Sequence, residues 1–289
     1  MWFWYATFSA FVSSISIILN KKALKNINSS LVSWALFAFS IPFLIYPSFK
    51  DGFPKLNFMF WIGTFGSAIL FSFAKTLALR SLKNSLMSEI VPLAFFSVLF
   101  QYIFGLIFFS EVLKTFSLIG LLLIIIGGYL LKIEEAKEDF LRPFKLLLTN
   151  KNASFYLIAM TMFVLSSVFD KFAIINMYPA NQSLYLLFGN IISTVIISLY
   201  MIKKDTVWLK DLRSNLGILF ISGIVYTILS LSYLYGITDG SLALVSGVKK
   251  LEVFFVLLLG WLIFGDKPKK GVWIGSLIML LGVILIKVG

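Results

Sequence analysis

The sequence predicts an all-α polytopic membrane protein, with ten transmembrane helices arranged as two inverted five-helix repeats. Three observations point there. The 289 residues are 60% hydrophobic and only 13% charged, more apolar surface than one soluble core of that length can hide. The apolar residues fall into blocks of about 18–25, the length that crosses about 30 Å of hydrocarbon. A set of landmark residues also recurs at one fixed spacing in the two halves of the chain.

Taken in order, the first half holds spans near Trp2–Asn20, Leu31–Ser48, Phe58–Leu79, Leu86–Phe109 and Thr115–Leu131. The first lacks a basic stretch ahead of it and a small-residue cleavage site, so it reads as a membrane helix and not a signal peptide. A polar linker follows, 133–152, mixing Glu134, Glu135, Glu138 and Asp139 with Lys137, Arg142 and Lys145. The second half holds spans near Ser154–Ile175, Ala180–Ile202, Leu216–Gly236, Ser241–Phe264 and Gly271–Ile286. The domains expected are therefore 1–132 and 153–289, joined by that linker.

The repeat rests on five landmark pairs. Phe109, Glu111, Gly120, Gly127 and Lys132 are matched by Phe264, Asp266, Gly275, Gly282 and Lys287, each 155 positions later. Chance similarity of apolar segments would not also align an acid, two glycines and a terminal lysine. The starts of the halves echo each other too: a Ser-Ser pair precedes Asn20-Lys21 in one and Asp170-Lys171 in the other. Five crossings per half is an odd number, so the halves enter the membrane in opposite directions, an arrangement that recurs in alternating-access transporters.

Charge placement suggests an orientation. Of the 25 Lys and Arg, three (Lys75, Lys249 and Lys250) fall within spans. Five (Lys50, Lys55, Lys114, Lys171 and Lys287) fall on the side that holds both termini, and the remaining 17 on the other. The positive-inside rule then places both termini outside the cytoplasm. The net charge of +12 is explained by these loops and does not call for nucleic acid. With no Cys and no His, disulfides, thiolate nucleophiles, imidazole bases and the usual zinc sites are ruled out. The sequence contains neither the Gly-x-Gly-Asp signature of intramembrane aspartyl proteases nor a nucleotide-binding loop. No enzyme activity, metal or cofactor is expected.

The paired segments resemble the ten-helix EamA-like branch of the drug/metabolite transporter superfamily, over essentially the whole chain. The residues that carry the resemblance are a helix ending in Phe109-Ser-Glu111 or Phe264-Gly-Asp266 and then a glycine-punctuated helix. The stretch Val248–Gly260 and Pro92 of the fourth span add to it. The resemblance implies a metabolite, amino-acid or drug carrier whose cavity is lined by both halves. Members of that branch are commonly drawn with cytoplasmic termini, so the lysine and arginine bias here runs against the family pattern.

Ionisable residues inside a span face a wet cavity or a partner, because a charge at the bilayer centre costs about 2.5–3.5 kcal/mol on insertion scales. The candidates for substrate contact are Lys75, Glu89, Gln101, Lys249, Lys250 and Glu252, with Tyr233, Tyr102 and Tyr235 as cavity aromatics. One reading has Lys249 or Lys250 binding an anionic group together with Lys75. The other has Glu89 or Glu252 neutralising those lysines with no substrate; either acid could also take a coupling proton. Lys21 and Lys171 read as residues at opposite cavity mouths or as interfacial lysines, and Asp170 as a partner of Lys171 or a cap. Glu111 and Asp266 read as structural acids at the start of the helices that follow them. Gly120, Gly127, Gly275 and Gly282 read as close-packing positions, in a scaffold or a homodimer contact. The function expected is secondary active transport of a small polar or anionic metabolite across the cell (inner) membrane. The alternatives are a flippase for a lipid-linked phosphate or sugar, and a non-transporting scaffold.

Overall fold

The computed structural model describes residues 1–84, 95, 97–136, 151–204, 208–264 and 270–289. Glu89, Pro92 and Asp266 lie outside the described residues. The chain is a polytopic bundle of helices. Among the described residues, six are long and apolar enough to cross a membrane: Trp2–Leu24, Ser29–Phe49, Phe58–Ser81, Ser154–Ile175, Gln182–Lys203 and Leu216–Asp239. Shorter apolar helices cover Ser97–Phe109, Thr115–Leu130 and Trp273–Val288.

In chain order, the first half contains α1 (Trp2–Leu24), α2 (Ser29–Ala38), α3 (Ile41–Phe49), α4 (Phe58–Asn84), α5 (Ser97–Phe109) and α6 (Thr115–Ala136). The second contains α7 (Lys151–Ile175), α8 (Gln182–Lys204), α9 (Trp208–Ser214), α10 (Leu216–Asp239), α11 (Leu242–Lys249), α12 (Glu252–Phe264) and α13 (Lys270–Val288). Asparagines start three of the spans. Asn28 accepts the Ser30 amide at 3.2 Å, Asn57 the Phe60 amide at 2.9 Å and Asn181 the Leu184 amide at 2.9 Å. Each satisfies a donor that has no partner inside its helix.

Several elements differ from the expectation. The second span is bent into α2 and α3, because Pro42 has no amide to donate into the preceding turn. Ser40 Oγ instead donates to the Phe37 carbonyl at 2.6 Å, and Asn190 on α8 donates to Ser40 Oγ at 2.6 Å. The ninth span is broken between α11 and α12. There the amides of Leu251 and Val253 bond three residues back, to Val248 and Lys250, at 3.0 and 3.1 Å. Helix α6 continues to Ala136, into the expected linker, since Lys132, Glu134 and Glu135 are good helix formers. The stretch read as a loop after the seventh span contains α9, whose Trp208 and Leu212, one turn apart, pack on a buried cluster. A two-residue antiparallel ladder, β1 (Lys55–Leu56) with β2 (Met177–Tyr178), is a small exception to an all-helical fold.

Small polar side chains are buried among the apolar ones, and large apolar side chains face outward. Ser9, Ser13, Ser14 and Ser16 of α1 and Ser166 and Ser167 of α7 are buried, while Phe65, Ile69 and Phe73 form an exposed stripe at helical spacing on α4. Such an arrangement suits a bundle whose solvent is hydrocarbon. Although many phenylalanines face outward, Phe37, Phe60 and Phe95 are fully buried.

Helices of the two halves pair antiparallel. On α1 and α10, Tyr5 stacks on Tyr235 with centroids 5.3 Å apart, and Ser9 Oγ donates to the Leu229 carbonyl at 3.1 Å. On α4 and α7, Gly63 lies against Ala173 and Ser67 Oγ lies 3.0 Å from Ser166 Oγ. On α6 and α13, Gly120 sits against the Gly282 carbonyl and Gly127 against the Gly275 carbonyl. The four glycines expected to form a scaffold or dimer contact therefore face one another within one chain, and all four are buried. That face is not available to a second copy.

Candidate substrate site and inter-half ion pair

The broken ninth segment places the basic residues. Lys249 closes α11 roughly 11 Å along the helix from Leu242, at 1.5 Å per residue. Its Nζ lies 4.9 Å from the centroid of the Tyr233 ring on α10. Lys250 follows in the turn, with Nζ 5.8 Å from the Phe95 ring. Glu252 opens α12 and accepts a hydrogen bond from Ser13 Oγ on α1 at 2.5 Å. Lys75 on α4 reaches toward Tyr226 on α10, with Nζ 5.9 Å from the ring centroid.

These groups share one electrostatic environment. Lys75 and Lys250 each sense Lys249 and Glu252. Both lysines are desolvated by the surrounding helices, yet they, Lys249 and Glu252 are each half-buried rather than sealed. Among the described residues no carboxylate comes within ion-pair distance of Lys75, Lys249 or Lys250. These three ammonium groups thus have, among the described residues, the Glu252 carboxylate and several aromatic rings in their surroundings, and ring faces attract cations. Gln101 adds a polar wall: its Nε2 donates to Ser167 Oγ at 3.3 Å, and its Oε1 is buried with no partner among the described residues. Tyr233 OH lies 3.3 Å from Ser246 Oγ. Tyr235, by contrast, stacks on Tyr5 and is partly exposed.

Nearer the end of the bundle that holds both termini is a second arrangement. After α5, Ser110 takes a left-handed backbone with φ 53°, and the Glu111 amide returns to the Gly105 carbonyl at 3.1 Å. This turn aims Glu111 across the interface between the halves. Its Oε1 lies 2.6 Å from Lys171 Nζ on α7, and its Oε2 accepts the Leu242 amide at the start of α11 at 2.9 Å. Lys171 also donates to the Gly240 carbonyl at 2.7 Å. Sequence reasoning made Glu111 the partner of its own following helix, α6. The helix start it satisfies is that of α11, in the other half, because the left-handed turn points the side chain away from α6. Lys171, expected at a cavity mouth, is engaged in this pair, while Lys21 near the end of α1 is exposed.

Asp170 was read as a partner of Lys171 or a cap. Instead its Oδ1 accepts the hydroxyls of Ser67 on α4 and of Tyr185 on α8. A single helical step turns neighbouring side chains about 100° apart, so Asp170 faces the interior while Lys171 faces Glu111. Sequence reasoning missed Ser13, Ser67, Tyr185 and Tyr226. The available signal was the helical spacing of polar residues within apolar spans, as in Ser166 and Asp170 on α7.

A solved protein structure aligns with 98% of this chain and 95% of its own at a TM-score of 0.77 and 15% identity, a likeness that concerns the fold alone. No curated protein matches. The model of the EamA-like transporter family matches residues 1–133 and again 151–288. A match in each half, over most of the sequence, means that this chain belongs to the EamA-like transporter family.

Proposed function

We propose that this chain is a secondary transporter that moves a small polar or anionic metabolite by alternating access between two inverted five-helix halves, 1–132 and 153–289. Family membership makes it a membrane transporter and not an enzyme. The observation that carries the substrate reading is that Lys75, Lys249 and Lys250, each half-buried and each over an aromatic ring, have no carboxylate within ion-pair distance among the described residues. Ammonium groups so placed are stabilised by an anion that supplies charge and hydrogen-bond acceptors.

Several features support ten crossings in two inverted halves. Lys287 Nζ lies 4.9 Å from the Trp4 ring, so the two termini share one end, as an even number of crossings requires. Exchanging the halves maps the α1–α10 pairing onto that of α7 and α4, and maps the Gly120–Gly282 contact onto Gly275–Gly127.

Uptake into proteoliposomes, screened over a panel of labelled metabolites, tests the substrate reading. A charge-assisted hydrogen bond contributes about 1.5–3 kcal/mol. Lys249→Ala, Lys250→Ala or Lys75→Ala is therefore expected to weaken apparent affinity for the transported anion by about 10- to 150-fold. Full uptake in all three variants would remove the lysines from the site.

The lysine and arginine bias supports an orientation in the cell membrane with both termini outside the cytoplasm. The chain has no cysteine, so single introduced cysteines can be read without background. A cysteine replacing the exposed Lys50 is expected to react with a membrane-impermeant maleimide on intact cells, and one replacing the exposed Lys25 only after lysis. The reverse pattern would invert the topology.

A further inference from the structure

Among the described residues, the lysine cluster leaves the buried carboxyl group of Asp170 unused. It is 9% exposed. The Ser67 and Tyr185 hydroxyls both donate to Oδ1, and Ser67 Oγ also touches Ser166 Oγ, one turn before Asp170, at 3.0 Å. The adjacent Lys171 belongs to Glu111. Asp170 is thus held by neutral hydroxyls, which distinguishes it from a structural acid locked to a cation. A hydroxyl donates to a carboxylate and, after rotating, accepts from a carboxylic acid, whereas an ammonium only donates. A cradle of Ser67, Ser166 and Tyr185 therefore accommodates either protonation state without moving a helix.

Among the described residues, Lys249, the lysine that stands over Tyr233 in the substrate site, is the charged group whose field reaches Asp170. The titratable groups of the neighbouring elements are as follows. Tyr226 and Tyr233 on α10 sense it, Lys75 lies two turns beyond Ser67 on α4, Tyr102 is the titratable residue of α5, and β2 carries the exposed Tyr178. An anion seated on Lys249 would share the interior with a charged Asp170 and be repelled by it, and a proton on Asp170 relieves that repulsion, so proton and anion favour each other's binding.

We propose that Asp170 carries the coupling proton of an anion–proton symport. The carboxylate takes one proton from the side on which the anion enters, the loaded carrier reorients, and the anion and the proton leave together on the other side. This rests on the anion-carrier reading of the lysine cluster.

Proteoliposomes enclosing a pH-sensitive dye test it, with labelled succinate, glutamate and inorganic phosphate as probes. In the wild type, uptake of at least one probe is expected to acidify the lumen. Each pH unit of inward gradient should raise its accumulation by up to about tenfold for one coupled proton. Asp170→Asn should keep counterflow of that probe, which shows an intact binding site, and lose both the acidification and the effect of the gradient. Tyr185→Phe should keep coupling with a displaced pH midpoint, since the cradle around the carboxyl group loses one of its hydroxyls. Persistent proton-coupled uptake in Asp170→Asn overturns the proposal and leaves the carrier reading standing, as does wild-type uptake driven by a sodium gradient and not by pH. Should Asp170→Asn lose counterflow as well, an unmoved midpoint in Tyr185→Phe overturns it. If the wild type takes up none of the three probes, the anion-carrier reading falls and the coupling falls with it.

Discussion

Glu111→Gln and Lys171→Met are each expected to destabilise the protein by about 3–5 kcal/mol, the cost of leaving one member of a buried ion pair without the other. The two side chains are 11% and 13% exposed, so water does little to screen them. Removing the Glu111 charge leaves the Lys171 ammonium with the Gly240 carbonyl and the face of Phe109, 5.5 Å away. Removing Lys171 leaves a carboxylate with the Leu242 amide. The remedy differs as well. Glu111→Leu combined with Lys171→Met removes both charges, so the double variant should lose much less than the two single losses together. Thermal unfolding in detergent reads all of these. A loss within about 0.5 kcal/mol for either single change would make the pair incidental. The pair joins the turn after α5 to α7 and the start of α11, so the same variants should loosen the closure of the end that holds the termini.

The second large effect is expected where α6 crosses α13. A Cβ on Gly120 would lie 2.5 Å from the Gly282 carbonyl oxygen, and one on Gly127 would lie 2.6 Å from that of Gly275. Both obstacles are backbone atoms, which yield only if the helices separate. Close approach of backbones is also how helices attract one another where there is no hydrophobic drive between them. Gly120→Ala and Gly127→Ala should each cost about 1–3 kcal/mol, and Gly120→Val or Gly127→Val more. Gly189→Ala and Gly217→Ala provide controls, because a Cβ at either position meets nothing within 4 Å. They should be neutral or stabilising, since alanine favours a helix over glycine. Equal losses at all four positions would mean that the crossing carries no special load.

The membrane class, the helical character of the chain and a family match in each half were legible because they depend on local quantities. These are apolar length, the absence of His and Cys, and the order of glycines and acids along a helix. The candidate lysines were legible for the same reason, since an ammonium inside an apolar block stands out in one dimension.

What each residue pairs with was decided by tertiary structure. Glu111 and Lys171 are 60 positions apart and Ser13 and Glu252 are 239 apart, and their contacts depend on which helix faces lie together. Asp170 and Lys171 are neighbours in sequence with opposite fates, because successive side chains leave a helix in different directions. The break at Lys250 was equally hidden: Gly247, whose carbonyl accepts the Lys250 amide at 3.0 Å, reads in the sequence as one more residue of an apolar helix. That turn is closed by amides bonding three residues back, and Glu252 just beyond it is met by Ser13 of the first half. That contact belongs to the assembled halves and not to either segment alone.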